Sequence, residues 1–252
     1  MIAVLDVGNT VISIGFFTSK NRYCVRRIST DMYSRKKLRS VFKCQGVFPE
    51  RCIVCSVVPR MEAHIKKDIY NCTRCRVEIV GKDIAVTIKH RYKRISALGK
   101  DRLVNIYGAQ RIYRAPFVVI DFGTAITFDY VNRQNVFEGG LIAPGIITSF
   151  RALSERGALL PKNMILAKPQ SFLGRMTSDG MRAGTVYGFG ALIDGLIRTF
   201  RNRYGSTVRV LMTGGMAAFI RPYCRSKATL DADLTLKSLY MISANSAKKR
   251  RG

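Results

Sequence analysis

Two short stretches of this sequence place a carboxylate, a glycine and a hydroxyl in the same order at the end of an apolar run. Asp6, Gly8, Asn9 and Thr10 follow Ile2, Ala3, Val4 and Leu5, and Asp121, Gly123 and Thr124 follow Phe117, Val118, Val119 and Ile120. Short apolar runs rich in β-branched residues predict strands buried on both faces. A tight turn at the strand end can aim backbone N–H groups and the Thr hydroxyl at a phosphate, while the Asp holds a cation or a water. One such turn is a weak signal. Two of them, at the N-terminus and near the middle, predict a duplicated domain whose phosphate turns face each other across a cleft.

Two further segments carry groups of the same kind. Gly99-Lys100-Asp101-Arg102 precedes Leu103, Val104, Ile106, Tyr107 and Ala109, whose spacing is helical. Asp101 and Arg102 therefore sit at a helix N-terminus, where a bound anion is favoured. A plain helix cap beside a surface Arg fits the same residues, and both readings stay open on spacing alone. Thr213-Gly214-Gly215 closes the strand Val208–Met212 and forms a third glycine turn suited to nucleotide contact.

The elements that must position these groups follow from periodicity and turn residues. Val11, Ile12, Ile14, Gly15, Phe16 and Phe17 read as a strand directly after the first turn. That separates it from a Walker loop or a Rossmann turn, where a helix follows at once. A helix is expected around Tyr33–Phe42, a core strand at Ile53–Val58, and a helix started by Pro59 and running to Tyr70. Val77–Val80 is a short strand ended by Gly81. In the second half, strand Ala125–Val131 leads to the glycine-rich segment Gly139–Gly145, then a helix over Ser149–Leu159. Thr177–Phe200 is a long helix in which Gly180, Gly184 and Gly188 recur every four residues, a stripe for close packing within the fold or across a dimer. Leu234, Leu236 and Leu239 close the fold.

Composition narrows the class. The 252 residues carry 47% hydrophobic side chains, enough for an ordinary core, and no run approaches the ~18 apolar residues of a membrane span. The N-terminus spends its apolar residues on a strand instead of a basic leader, so a cytoplasmic protein is expected. A net charge of +27 attracts anions of many kinds. Its basic residues are spread over 20–51, 89–114, 198–209 and the tail 248–251, without the interleaved aromatics of a stacking platform. A generally basic surface fits this better than a nucleic-acid site. Cys52-x-x-Cys55 and Cys72-x-x-Cys75 match four-thiolate zinc spacing. However, Cys52–Val58 reads as a strand, on which residues three apart point to opposite faces. Reduced thiols are expected instead.

Taken together, the motifs resemble the type III pantothenate kinases, members of the sugar kinase, heat-shock ATPase and actin superfamily. The match runs through D-V-G-N-T at 6–10, C-S-V-V-P at 55–59, Tyr92, G-K-D-R at 99–102, D-F-G-T-A at 121–125, G-G-L-I-A-P-G at 139–145, Thr177 and T-G-G at 213–215. The resemblance implies an α/β fold of duplicated ribonuclease H-like (actin-like ATPase) domains with a central cleft, divided as 1–113 and 114–252. It implies ATP-dependent phosphorylation of pantothenate to 4'-phosphopantothenate, the first step of coenzyme A synthesis. Asp6, Gly8, Asn9 and Thr10 would hold the phosphates and magnesium (Asp6 as its ligand), with Thr124 cradling phosphate from the other side. Asp121 matches the ligand of a monovalent cation, potassium or ammonium. Tyr92, Gly99, Lys100, Arg102 and Thr177 match the substrate-binding segments, and Asp101 matches the general base. A homodimer is also implied. The alternative is a non-catalytic relative acting as a transcription-accessory or nucleic-acid-binding protein, which would have no need of Asp6, Asp101, Arg102, Asp121 and Thr124 together.

Overall fold

A computed structural model describes residues 1–46 and 48–248, so the basic residues from 249 onward lie outside the described chain. The chain forms two compact units, one made of Met1–Tyr113 with the stretch from Asp233, the other of Arg114–Ala232.

The first unit contains a five-stranded sheet in the order β3-β2-β1-β4-β5. Its strands are β1 (Ile2–Val7), β2 (Val11–Ser19), β3 (Arg22–Ser29), β4 (Arg51–Ser56) and β5 (Arg76–Ile79). The first three are antiparallel neighbours, and β4 and β5 add in parallel. Helices α1 (Arg35–Lys43) and α2 (Pro59–Thr73) cover one face, where Leu38, Phe42, Ile65 and Ile69 pack on Ala3, Leu5, Ile12, Ile14 and Val54. The Ser34 hydroxyl caps α1 by accepting from Lys37 N–H at 3.2 Å, a contact worth about 1 kcal/mol. Pro59 opens α2 with its fixed φ and missing donor. Arg74, in the left-handed region at φ 58°, ends it three residues beyond the expected Tyr70.

Helices α3 (Lys100–Ile112) and α7 (Leu234–Lys248) pack together and contact β1, β2 and β4. The last helix thus returns to the first unit, although the sequence grouped all of 114–252 in one half. Leu234, Leu236 and Leu239 are fully or almost fully buried, and Phe17 stacks against Tyr240 with centroids 4.7 Å apart. An apolar stripe announces burial but not the sheet that receives it. At the α3–α7 crossing, a Cβ on Gly108 would overlap the Ser238 side chain.

The second unit repeats the plan as β10-β9-β6-β7-β8. Here β6 (Phe117–Phe122), β7 (Ala125–Val131) and β8 (Phe137–Pro144) are antiparallel neighbours. In parallel with β6 runs β9 (Arg209–Thr213), which carries the two-residue β10 (Thr229–Leu230) on its other edge. Val118, Ile120, Phe122, Ile126 and Phe128 point to one face, against Val186, Ile193 and Ile197 of α5 (Thr177–Tyr204) and Ile220 of the short α6 (Ala217–Ile220). Helix α4 (Ile146–Arg156) starts immediately after Gly145, three residues earlier than its apolar spacing predicts, and ends at Gly157.

Candidate functional site

In the first unit, the turn after β1 is a hairpin closed by Gly8 N–H donating to the Val11 carbonyl at 3.1 Å. Thr30, just past β3, braces it twice: its hydroxyl donates to the Gly8 carbonyl at 2.8 Å and its N–H to the Thr10 carbonyl at 2.9 Å. Asn9 and Thr10 are exposed at the tip, and Asp6 is half-buried beneath them. Sequence reading missed Thr30, which looks like any residue after a strand.

Asp6 pairs in register with Cys55 on β4. Burial pushes the Cys55 thiol well above its ordinary range, Asp6 and then Asp101 push it further, Lys100 opposes, and Glu62 adds to the rise. Of these, Asp6 is the register neighbour of Cys55, and Lys100 pairs with Glu62 at 2.9 Å. Cys52 lies on the opposite face, inside the core under α2. The strand geometry expected for these two thiols holds. Among the described residues no group of three or more His, Cys, Asp or Glu side chains converges as a metal cluster.

Lys100, Asp101 and Arg102 form the first turn of α3. Asp101 Oδ1 accepts from Arg102 N–H at 2.8 Å, which fixes the rotation of the carboxylate. Gly99 makes room for it, because a Cβ there would lie 2.6 Å from Asp101 Oδ1. Arg102 is buried at 7% exposure. The Lys100 ammonium donates to Glu62 on α2 at 2.9 Å, a pairing invisible from the G-K-D-R motif. Tyr92 is half-buried in the loop before α3.

In the second unit, Gly123 N–H donates to the Ala125 carbonyl at 3.1 Å, closing the turn after β6. The Thr124 carbonyl accepts from Gly145 N–H at 3.0 Å and from the Thr148 hydroxyl at 2.8 Å. A Cβ on Gly145 would overlap the Gly123 and Thr124 carbonyls, so the G-G-L-I-A-P-G segment ends in the one residue that can pack here. Asp121 pairs in register with Thr213 on β9. Gly214, at φ +90°, brings backbone so close that a Cβ would overlap Asp121 Oδ1. The Thr213 hydroxyl is 1% exposed and has no hydrogen-bond partner among the described residues. Thr177 is exposed at the first position of α5. A Cβ on Gly180, Gly184 or Gly188 would meet nothing within 4 Å, so the side of α5 on which those atoms would stand is open among the described residues.

These residues fit the cations that a phosphate-transfer site needs. Magnesium is held by one or two carboxylates plus substrate phosphates, and Asp6 beside the exposed Asn9-Thr10 tip would supply the carboxylate. A monovalent cation takes oxygen donors, and Asp121 beside the orphaned Thr213 hydroxyl offers two, in a cradle that a side chain at 214 would fill.

The family described as type III pantothenate kinase matches residues 2–199. A type III pantothenate kinase of Syntrophobacter fumaroxidans is 34% identical over 98% of this chain and 99% of its own. One of Rubrobacter xylanophilus is 34% identical over the full length of both. Two solved structures share the fold at low identity. A Campylobacter jejuni protein described as a Baf family transcriptional activator superposes with a TM-score of 0.60 at 17% identity, covering 98% of this chain and 99% of its own. The ethanolamine utilization protein EutJ of Carboxydothermus hydrogenoformans gives 0.54 at 10%, covering 95% and 89%.

Proposed function

The chain belongs to the type III pantothenate kinase family, and from that premise we propose that it transfers the γ-phosphoryl group of ATP to the terminal hydroxyl of pantothenate, opening coenzyme A synthesis. The observation that supports this most is Asp101 in the first turn of α3, its carboxylate held by Arg102 N–H, in the same compact unit as the Asp6 turn.

In the reaction the hydroxyl oxygen forms a bond to the γ-phosphorus as the bond to the bridging oxygen breaks, and that electron pair leaves on ADP. The hydroxyl proton goes to the Asp101 carboxylate, held in orientation by Arg102 N–H. Alignment and charge neutralisation supply most of the acceleration in such transfers. The Gly8-Asn9-Thr10 tip and the Gly123-Thr124 turn are our candidates for the phosphate contacts. Arg102 meets the pantothenate carboxylate with its planar fork, a geometry a lysine lacks. Tyr92, Gly99 and Thr177 complete the substrate contacts. Magnesium at Asp6 would neutralise phosphate charge, and potassium or ammonium at Asp121 would add positive charge beside the second turn. The open glycine stripe on α5 supports a homodimer. ATP as phosphoryl donor supports a cytoplasmic site of action, where the basic surface draws in both anionic substrates.

The test is ADP release with ATP, magnesium and potassium against a panel of hydroxyl acceptors. Release that depends on pantothenate, with a phosphorylated pantothenate product by mass spectrometry, carries the reading. Release with another acceptor but not pantothenate overturns it.

A further inference from the structure

Glu62 is nearly fully buried at 3% exposure, on the first turn and a half of α2, 38 residues away from the Lys100 ammonium it receives. Its second oxygen pairs with Lys82 at 2.5 Å. Lys82 comes from the turn after β5 and Lys100 from the first position of α3. Burial alone would raise the Glu62 pKa, but hydrogen bonds from Lys82 and Lys100 outweigh it and hold the carboxyl below its ordinary value. The turn carrying Lys82 is itself pinned. Asp83 accepts from Ile79 N–H at 2.9 Å and from Lys66 of α2 at 2.8 Å. Gly81, at φ +82°, leaves room for the Lys100 stem, since a Cβ there would lie 3.2 Å from Lys100 Cε.

We propose that Glu62 is a positioning residue for the phosphoryl transfer: it clamps the Lys100 ammonium on α2 and so keeps that cation from pairing with Asp101 one residue away. This rests on the kinase reading above, and it assigns Lys100 a role different from substrate contact. The physical reason is adjacency: Lys100 and Asp101 are consecutive residues in the first turn of α3, and the Lys100 ammonium is held on Glu62 at 2.9 Å. An ammonium released from Glu62 has Asp101 as the next residue of the chain. Paired with Asp101, it would turn the base away from the hydroxyl or compete for the oxygen that takes the proton. A buried carboxylate is a strong clamp because leaving Glu62 without its lysines, at 3% exposure, is costly.

The test is a double-mutant cycle of Glu62→Gln, Lys100→Met and the double variant, read by kinetics and by urea midpoints without substrate. We expect Glu62→Gln to lower kcat about tenfold or more, as small misplacements of reacting groups do, with KM for ATP little changed. Lys100→Met alone loses less, and adding it to Glu62→Gln restores most of kcat, since no stray ammonium remains. A double variant as slow as Glu62→Gln makes the role purely structural and overturns the proposal. So does a folded Glu62→Gln with wild-type kcat, or a Lys100→Met whose only defect is a raised KM for pantothenate. If the wild type turns over no pantothenate, the function reading falls. The urea midpoints then decide the clamp, with non-additive shifts sustaining the pair and additive ones removing it.

Discussion

The two sheets share a strand order and a turn, yet the strand beside each turn differs in the residue it offers. In the first unit β4 sets the Cys55 thiol opposite Asp6, and in the second β9 sets the Thr213 hydroxyl opposite Asp121. A buried neutral thiol is a poor partner for a hard cation, whereas a hydroxyl oxygen is an acceptable one. On the proposed function Asp6 would take its cation with the phosphates at the exposed Asn9-Thr10 tip. Asp121 has an oxygen neighbour and a side-chain-free glycine against it. Duplication supplies the same carboxylate twice with different register neighbours, and we propose that the neighbour sets which cation each carboxylate suits.

Asp101, the proposed general base, stands outside this comparison, in the first turn of α3 in the first unit. Asp101→Asn should lower kcat by about 10²- to 10⁴-fold, the usual worth of a general base, while ATP binding measured by calorimetry stays close to wild type. Gly214→Ala acts on the glycine packed against Asp121, where the first unit has Ser56 after Cys55. It forces a side chain into positive φ and onto Asp121, at a cost of about 1–3 kcal/mol. Melting should show that loss, and activation by potassium should disappear with it.

Gly99→Ala sharpens the role of α3, because its methyl meets the flexible end of Asp101 and not a backbone atom. The protein should keep its melting temperature within a few degrees but lose kcat by about 10- to 100-fold. Thr213→Val removes the orphaned hydroxyl at constant shape. Stability should hold within about 1 kcal/mol, since the lost group had no protein partner, while half-saturation by potassium rises. Smallest of all is Cys55→Ala, the matching change in the first unit. It should cost about 1 kcal/mol of stability and leave both cation requirements where they were. A change in potassium dependence there would break the comparison.

The turns were legible because each packs its chemistry into five consecutive residues at a strand end, so no tertiary knowledge is needed to see them. The Asp101 helix start was legible for the same reason. Glu62 was not: an acid in the first turns of a helix is ordinary, and its partner is 38 residues away. Lys100 reads from its motif as a substrate contact, and only the fold shows its ammonium on α2. Thr213 reads as part of a nucleotide turn until strand pairing sets it opposite Asp121. The sheet that receives α7 was equally hidden, because Leu234, Leu236 and Leu239 would be buried against either.

The division between the two carboxylates is tested most directly by titrating magnesium and potassium separately in Asp6→Asn and Asp121→Asn, following pantothenate-dependent ADP release. Asp6→Asn should raise the magnesium requirement and leave the potassium curve unmoved, while Asp121→Asn does the reverse. Equal shifts of both curves in either variant, or the opposite assignment, would contradict it.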